Sequence, residues 1–227
     1  MKTVLVIQHS QSEHLGLLEH HLEGRRIAFH YCRPFVSPNQ LPKDASDYDG
    51  VFFLPGGPFG LASNPLLLTM PMELRVAESC LASGKPVVGF GTGAVLLAMA
   101  AGGGVVEAPW RFAIPTIEFV GTDFGIDTMP LLVSLRDRAQ LPADCEVLAR
   151  EPDGVAAVFS VAGNCLGFMG NPAATSGMYE DLVMEEPDFP EDSGAVLVAL
   201  RAAQTDIAAA LSPLARFILR HTGLFAG

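Results

Sequence analysis

Apolar and polar positions along this chain follow two alternating rhythms. Residues 3–8 (TVLVIQ) form an unbroken β-rich run, residues 13–22 carry helical spacing, and residues 26–31 and 50–54 read as second and third strands. Asn64-Pro65 opens a predicted helix that reaches about Ala82, and Gly84-Lys85-Pro86 stops it. Residues 87–90 are a fourth strand of the fully buried type, and residues 92–101 form another helix. Strand and helix signals that alternate over the first hundred residues predict an α/β fold. The expected architecture is a doubly wound, mostly parallel sheet flanked by helices, flavodoxin-like, with its site at the carboxyl ends of the strands.

Beyond Gly104 the pattern loosens into short strands at residues 105–107, 131–134, 147–150, 155–160 and 165–169. The close is helical over about residues 193–222, interrupted or kinked near Pro213, and an acidic loop at residues 185–192 (EEPDFPED) precedes it. Neither an internal repeat nor a low-complexity linker divides the chain. Residues 1–227 are therefore expected to form one domain with extra C-terminal helices.

Composition narrows the range of functions. Hydrophobic residues make up 49% of the 227 positions and charged residues 17%, enough for a substantial core. A formal net charge of -11 argues against an electrostatic hold on nucleic acid or an anionic membrane, leaving small molecules and proteins as expected partners. The most apolar stretch, residues 86–106, is broken by six glycines and reads as strand, turn and helix rather than a membrane span. The expectation is a soluble, cytoplasmic protein. Cys32, Cys80, Cys145 and Cys165 are widely spaced in apolar surroundings, which suits reduced packing residues better than a disulfide framework or a metal site. No cofactor and no metal is expected; His14, His20 and His21 have no third donor beyond Glu13 or Glu19 within a helix turn.

Three glycine-rich stretches are candidates for chemistry. Leu54-Pro55-Gly56-Gly57-Pro58-Phe59-Gly60 follows a strand, where glycines let backbone amides turn toward an anion or oxyanion, although a simple tight loop has the same composition. Gly89-Phe90-Gly91-Thr92-Gly93 is a strand-to-helix turn whose helix N-terminus can hold a negative group, but it matches neither dinucleotide nor P-loop spacing. Gly102-Gly103-Gly104 reads as a helix stop.

These segments, in this order, resemble a known family. Residues 85–98, KPVVGFGTGAVLLA, are similar to the nucleophile-elbow segment of class I glutamine amidotransferases, K-P-[VI]-L-G-I-C-[LY]-G-H-Q-L-L-A. Leu54 to Pro58 resembles the family's Gly-Gly-Pro oxyanion strand. Asp137 followed by Leu141-Pro142 resembles the D-x-x-x-L-P of members similar to the glutaminase part of GMP synthase, and Gly170-Asn171-Pro172-Ala173 resembles their G-H-P-E turn. The resemblance runs to about residue 180.

In that family, the resemblance implies, an elbow cysteine thiolate attacks the glutamine amide, a histidine takes its proton and a glutamate two residues on orients the histidine. Here Gly91 stands at the nucleophile position, Asn171 at the base position and Ala173 at the orienting position. The family's His-Gln after the elbow is Ala94-Val95, and its aromatic-and-histidine run before the aspartate is Val133-Ser134-Leu135-Arg136. No catalytic residues are therefore expected. A crevice lined by Gly56, Gly57, Pro58, Phe59, Gly91, Thr92 and Gly93, with His9 on its rim, is the candidate binding site for a small anionic metabolite or the scar of a lost site, and His9 also reads as a loop histidine bonded to backbone. Glu73 is expected to bond near the elbow loop.

The sequence thus reads as a glutamine amidotransferase-like protein without glutaminase chemistry, acting as a docking, regulatory or small-molecule-binding subunit. Its expected partner is a synthetase or acceptor subunit or a second copy of the chain. The alternative is an active amidotransferase, or another enzyme of the same superfamily, working from His9, Asp137 or Thr92.

Overall fold

The computed structural model describes residues 1–37, 41–121 and 124–224. Its centre is a sheet built from β1 (Thr3–Ile7), β2 (Ala28–Cys32), β3 (Gly50–Phe53), β4 (Val87–Phe90), β7 (Thr116–Phe119), β8 (Thr128–Pro130), β11 (Glu146–Arg150), β12 (Ala156–Val161) and β13 (Cys165–Phe168). The order across the sheet is β2-β1-β3-β4-β13-β12-β11-β7-β8. The strands from β2 to β13 pair in parallel, as the sequence predicts. From β13 onward the sheet is extended by antiparallel pairs. Two ribbons flank it: β5 (Gly104–Val106) with β10 (Arg138–Gln140), and β6 (Arg111–Ala113) with β9 (Val133–Leu135).

Helices cover both faces, and the period of two along β1 assigns its side chains to them. Val4 and Val6 face a core built with Leu18 and Leu22 of α1 (Leu18–Glu23) and Leu211, Leu214 and Ile218 of α5 (Ser193–His221). Leu5 and Ile7 face the opposite core, with Val76 and Cys80 of α2 (Met70–Ala82) and Leu97 of α3 (Thr92–Ala100). A strand apolar on both faces is what an unbroken hydrophobic run specifies. A smaller cluster joins Tyr179 and Leu182 of α4 (Ser176–Glu185) to Leu200 and Ile207 of α5.

Several boundaries differ from the sequence expectation. The first helix begins at Leu18 rather than residue 13, because Gly16 takes φ +57 and a β-carbon there would lie 2.5 Å from the Ala173 carbonyl oxygen. The second helix begins at Met70 rather than Asn64, started by Pro71 in its first turn, with the Thr69 hydroxyl donating to Glu73 at 2.6 Å. Helix α4 lies outside the sequence expectation; Thr175 caps it by accepting from the Met178 amide at 3.4 Å. Pro213 does not interrupt α5, which runs 29 residues with Leu211, Leu214 and Ala215 buried around the proline. By length and apolarity, with mean hydropathy 1.4 in its best window, α5 could cross a membrane, but here its buried side packs on the sheet and α4.

Candidate functional site

The turn at the end of β4 is sharp and held by backbone hydrogen bonds. Gly91 adopts φ +54 and ψ -118, donates to the Phe168 carbonyl at 2.8 Å, and accepts from Ala94 at 2.9 Å. Its neighbours pack too closely for side chains: a β-carbon on Gly93 would sit 2.3 Å from the Phe53 carbonyl oxygen. At Gly91 itself a β-carbon would be 3.3 Å from the nearest atom, Pro55 Cβ, so the difficulty there is the backbone angle rather than space.

The crevice expected beside the elbow is closed. Gly56, Gly57, Pro58, Gly91, Thr92 and Gly93 are buried and Phe59 half-buried. Thr92 packs so tightly on Gly56 that a β-carbon there would lie 2.6 Å from its hydroxyl oxygen. The loop lies down on the elbow.

His9 holds that loop from below. Its Nδ1 is 3.0 Å from the carbonyl oxygens of both Leu54 and Pro55, and its Nε2 is 2.7 Å from Glu73 Oε2. Carbonyl oxygens only accept, and so does an ionised carboxylate; both ring nitrogens therefore carry protons, and His9 is an imidazolium paired with Glu73. Burial works against that charge, but the Glu73 carboxylate outweighs it and His9 titrates above its ordinary range. For Glu73 burial pushes upward and the His9 charge pulls further downward, leaving it below its ordinary value. His9, placed on the rim as a candidate ligand group, is a buried tie, and Glu73 bonds to it and to Thr69.

A second buried carboxylate reaches the same loop. Glu13 accepts from Ser10 Oγ at 3.2 Å, from the Tyr179 hydroxyl at 3.2 Å, and from the Gly57 amide. Burial, opposed by those donors, pushes its carboxyl up to about 7. Tyr179 in turn accepts from Asn171 Nδ2 at 3.3 Å. The sequence offered Glu13 only as a conceivable metal donor, because its partner Tyr179 lies 166 residues away in the chain.

Asn171 and Ala173 follow the end of β13, which pairs with β4. The Asn171 amide donates to Leu132 at 2.7 Å, and its side-chain oxygen accepts from Ala173 at 3.0 Å. Ala173 is wholly buried in the α1 and α5 core. Asp137, at φ +72, accepts the amides of Leu61, Ala62 and Ser63 at 2.5, 2.9 and 2.8 Å, and also the Ser63 hydroxyl. It fastens the far end of the glycine loop and has no oxygen free for proton transfer. Cys80 and Cys165 are buried, which pushes each thiol up to about 11. Cys145 packs against the same core but is half-buried rather than buried. Among the described residues, no three His, Cys, Asp or Glu side chains converge as a metal site would require.

Known proteins bear on this geometry through structure. No family model matches the chain, and no curated protein matches its sequence. Its fold is similar to that of a glutamine amido transferase from Methylobacillus flagellatus, with TM-score 0.80 and 20% identity, covering 97% of this chain and 95% of that one. It is also similar to a glutamine amidotransferase from Thermotoga maritima, with TM-score 0.77 and 19% identity over 96% and 98% of the two chains. A GMP synthase subunit-like protein from Thermoplasma acidophilum matches with TM-score 0.60 and 14% identity over 90% and 98%. The chain has the class I glutamine amidotransferase fold, with its large mixed sheet and C-terminal helix.

Proposed function

We propose that this chain is a glutamine amidotransferase-fold protein that does not hydrolyse glutamine and serves as a docking or regulatory subunit for another protein. The observation that carries the reading is the elbow: its strained backbone is retained at Gly91, yet its apex has no side chain to attack an amide. Asn171 supports it, because a carboxamide neither accepts nor returns a proton near neutral pH, and its oxygen already holds the Ala173 amide at 3.0 Å. Thr92 and His9 are weak substitutes: one hydroxyl is packed against Gly56, and both nitrogens of the other ring are engaged.

Docking is favoured over binding at the elbow because a metabolite there would have to lift Gly56 off Thr92. One fold neighbour is itself named for a synthase subunit, which agrees with a protein partner, a synthetase or acceptor chain. The test is twofold. Purified protein incubated with glutamine should release no ammonia, and the tagged chain expressed at native level should copurify with a second protein in fixed ratio. Ammonia release removes the first half of the proposal, and a monomer with nothing attached removes the second.

A further inference from the structure

A different part of the molecule carries hydrogen-bond donors that no described residue uses. Between the β6–β9 ribbon, the β5–β10 ribbon and the turn from β11 to β12 lies a cavity of about 580 Å³. It is lined by none of residues 56–59 or 91–93, so it is separate from the elbow. Its volume falls within the roughly 300–1,000 Å³ of small-molecule sites. Leu135, Leu141 and Met169 give it an apolar wall, and Arg111, Arg138, Asp137, Glu151 and Asp153 are its charged groups.

The acids are occupied. Asp137 is enclosed by the amides of Leu61, Ala62 and Ser63 and the Ser63 hydroxyl. Buried Glu151 gives both oxygens to Arg111, at 2.8 and 2.5 Å. Asp153 accepts the Val155 amide at 3.1 Å.

The arginines keep donors that these acids do not use. Arg111 uses one hydrogen on each terminal nitrogen for Glu151, which fixes its plane and leaves its remaining N–H groups free on a side chain 45% exposed. The Arg138 side chain has no hydrogen-bond or ion-pair partner among the described residues. Both guanidiniums line the same cavity, beside its apolar side chains. The complement to surplus planar donors beside an apolar wall is a planar anion on an apolar body.

We propose that this cavity binds a small organic carboxylate, its carboxylate held by Arg111 and Arg138 and its body against Leu135, Leu141 and Met169. The proposal is independent of whether the elbow is inactive.

The test is a calorimetric titration of the full chain with hexanoate and benzoate, with hexanol and inorganic phosphate as comparisons, repeated on Arg138→Gln and Arg138→Lys. Arg138 is exposed, so its replacement leaves the fold intact, which an unchanged melting curve confirms. The expected result is saturable binding of at least one of the two acids and none of hexanol. Arg138→Gln should weaken that binding about tenfold, the loss of one charge-assisted contact, and Arg138→Lys should weaken it less. Three results each overturn the proposal: no saturable binding of either acid, hexanol or phosphate binding as tightly as the acids, or affinity unchanged in Arg138→Gln.

Discussion

Glu73 Oε2 lies 2.7 Å from His9 Nε2, both side chains sealed from solvent, and the far side of the same imidazole holds the carbonyl oxygens of Leu54 and Pro55. One ion pair thereby joins α2 to the end of β1 and to the loop over the elbow. Removing one member of a buried pair strands the other charge, at a cost of about 3–5 kcal/mol. Glu73→Ala and His9→Ala should each lose that much in urea denaturation, and the double variant clearly less than their sum. Additive losses would mean the pair is not coupled.

Glu13 sets an unusual pH dependence. Its folded carboxyl, raised by burial to about 7, sits above its ordinary 4.5, so folding takes up a proton between those values and its contribution to stability falls as pH rises through that window. His9, raised above 6.5, contributes stability that is present below 6.5 and lost as pH climbs through its folded value. Glu73, lowered, contributes stability that is lost as pH falls through its folded value below 4.5. The protein should therefore be most stable on the mildly acidic side of neutral. Denaturation midpoints should decline from about pH 5 to about pH 8, and Glu13→Gln should flatten that decline. A wild-type midpoint that rises across the range would contradict the assignment.

The elbow glycines should differ in their tolerance. Gly91→Ala meets only an unfavourable backbone angle and should cost about 1–3 kcal/mol. Gly93→Ala must push its methyl group into the Phe53 carbonyl oxygen, 2.3 Å away, and should cost more. Thermal melts of both variants give the order; the reverse order would contradict the packing described.

Thiol reactivity should single out Cys145. Burial pushes Cys80 and Cys165 up to about 11 and Cys32 is buried too, whereas Cys145 is half-buried. Under native conditions an aromatic disulfide reagent at mildly alkaline pH should modify Cys145 first, as peptide mapping would show. Rapid labelling of Cys80 would mean that α2 opens.

Much of this molecule is legible in its sequence, and the boundary of legibility has physical causes. β1, β3 and β4 are buried on both faces, so they appear as unbroken apolar runs, and the glycines at 89, 91 and 93 mark the turn that follows. β6, β7 and β10 have three or four residues each, too few for a period to emerge among turn residues. Asp137 is recognisable by its motif, yet its partners at Leu61 to Ser63 are 74 to 76 residues distant and no local pattern announces them. Glu13 reads as one more polar residue on a helical face; only the fold brings Tyr179 and Gly57 to it. Closure of the elbow crevice likewise depends on Thr92 meeting Gly56 across two segments.

The central claim is that the elbow cannot form a thioester. The most direct measurement is ammonia release from glutamine by the purified chain, with Gly91→Cys combined with Asn171→His and Ala173→Glu assayed beside it. The wild type should match the protein-free rate at any enzyme concentration, whatever the triple variant does. Ammonia released by the wild type in proportion to its concentration, over many turnovers, would contradict the account.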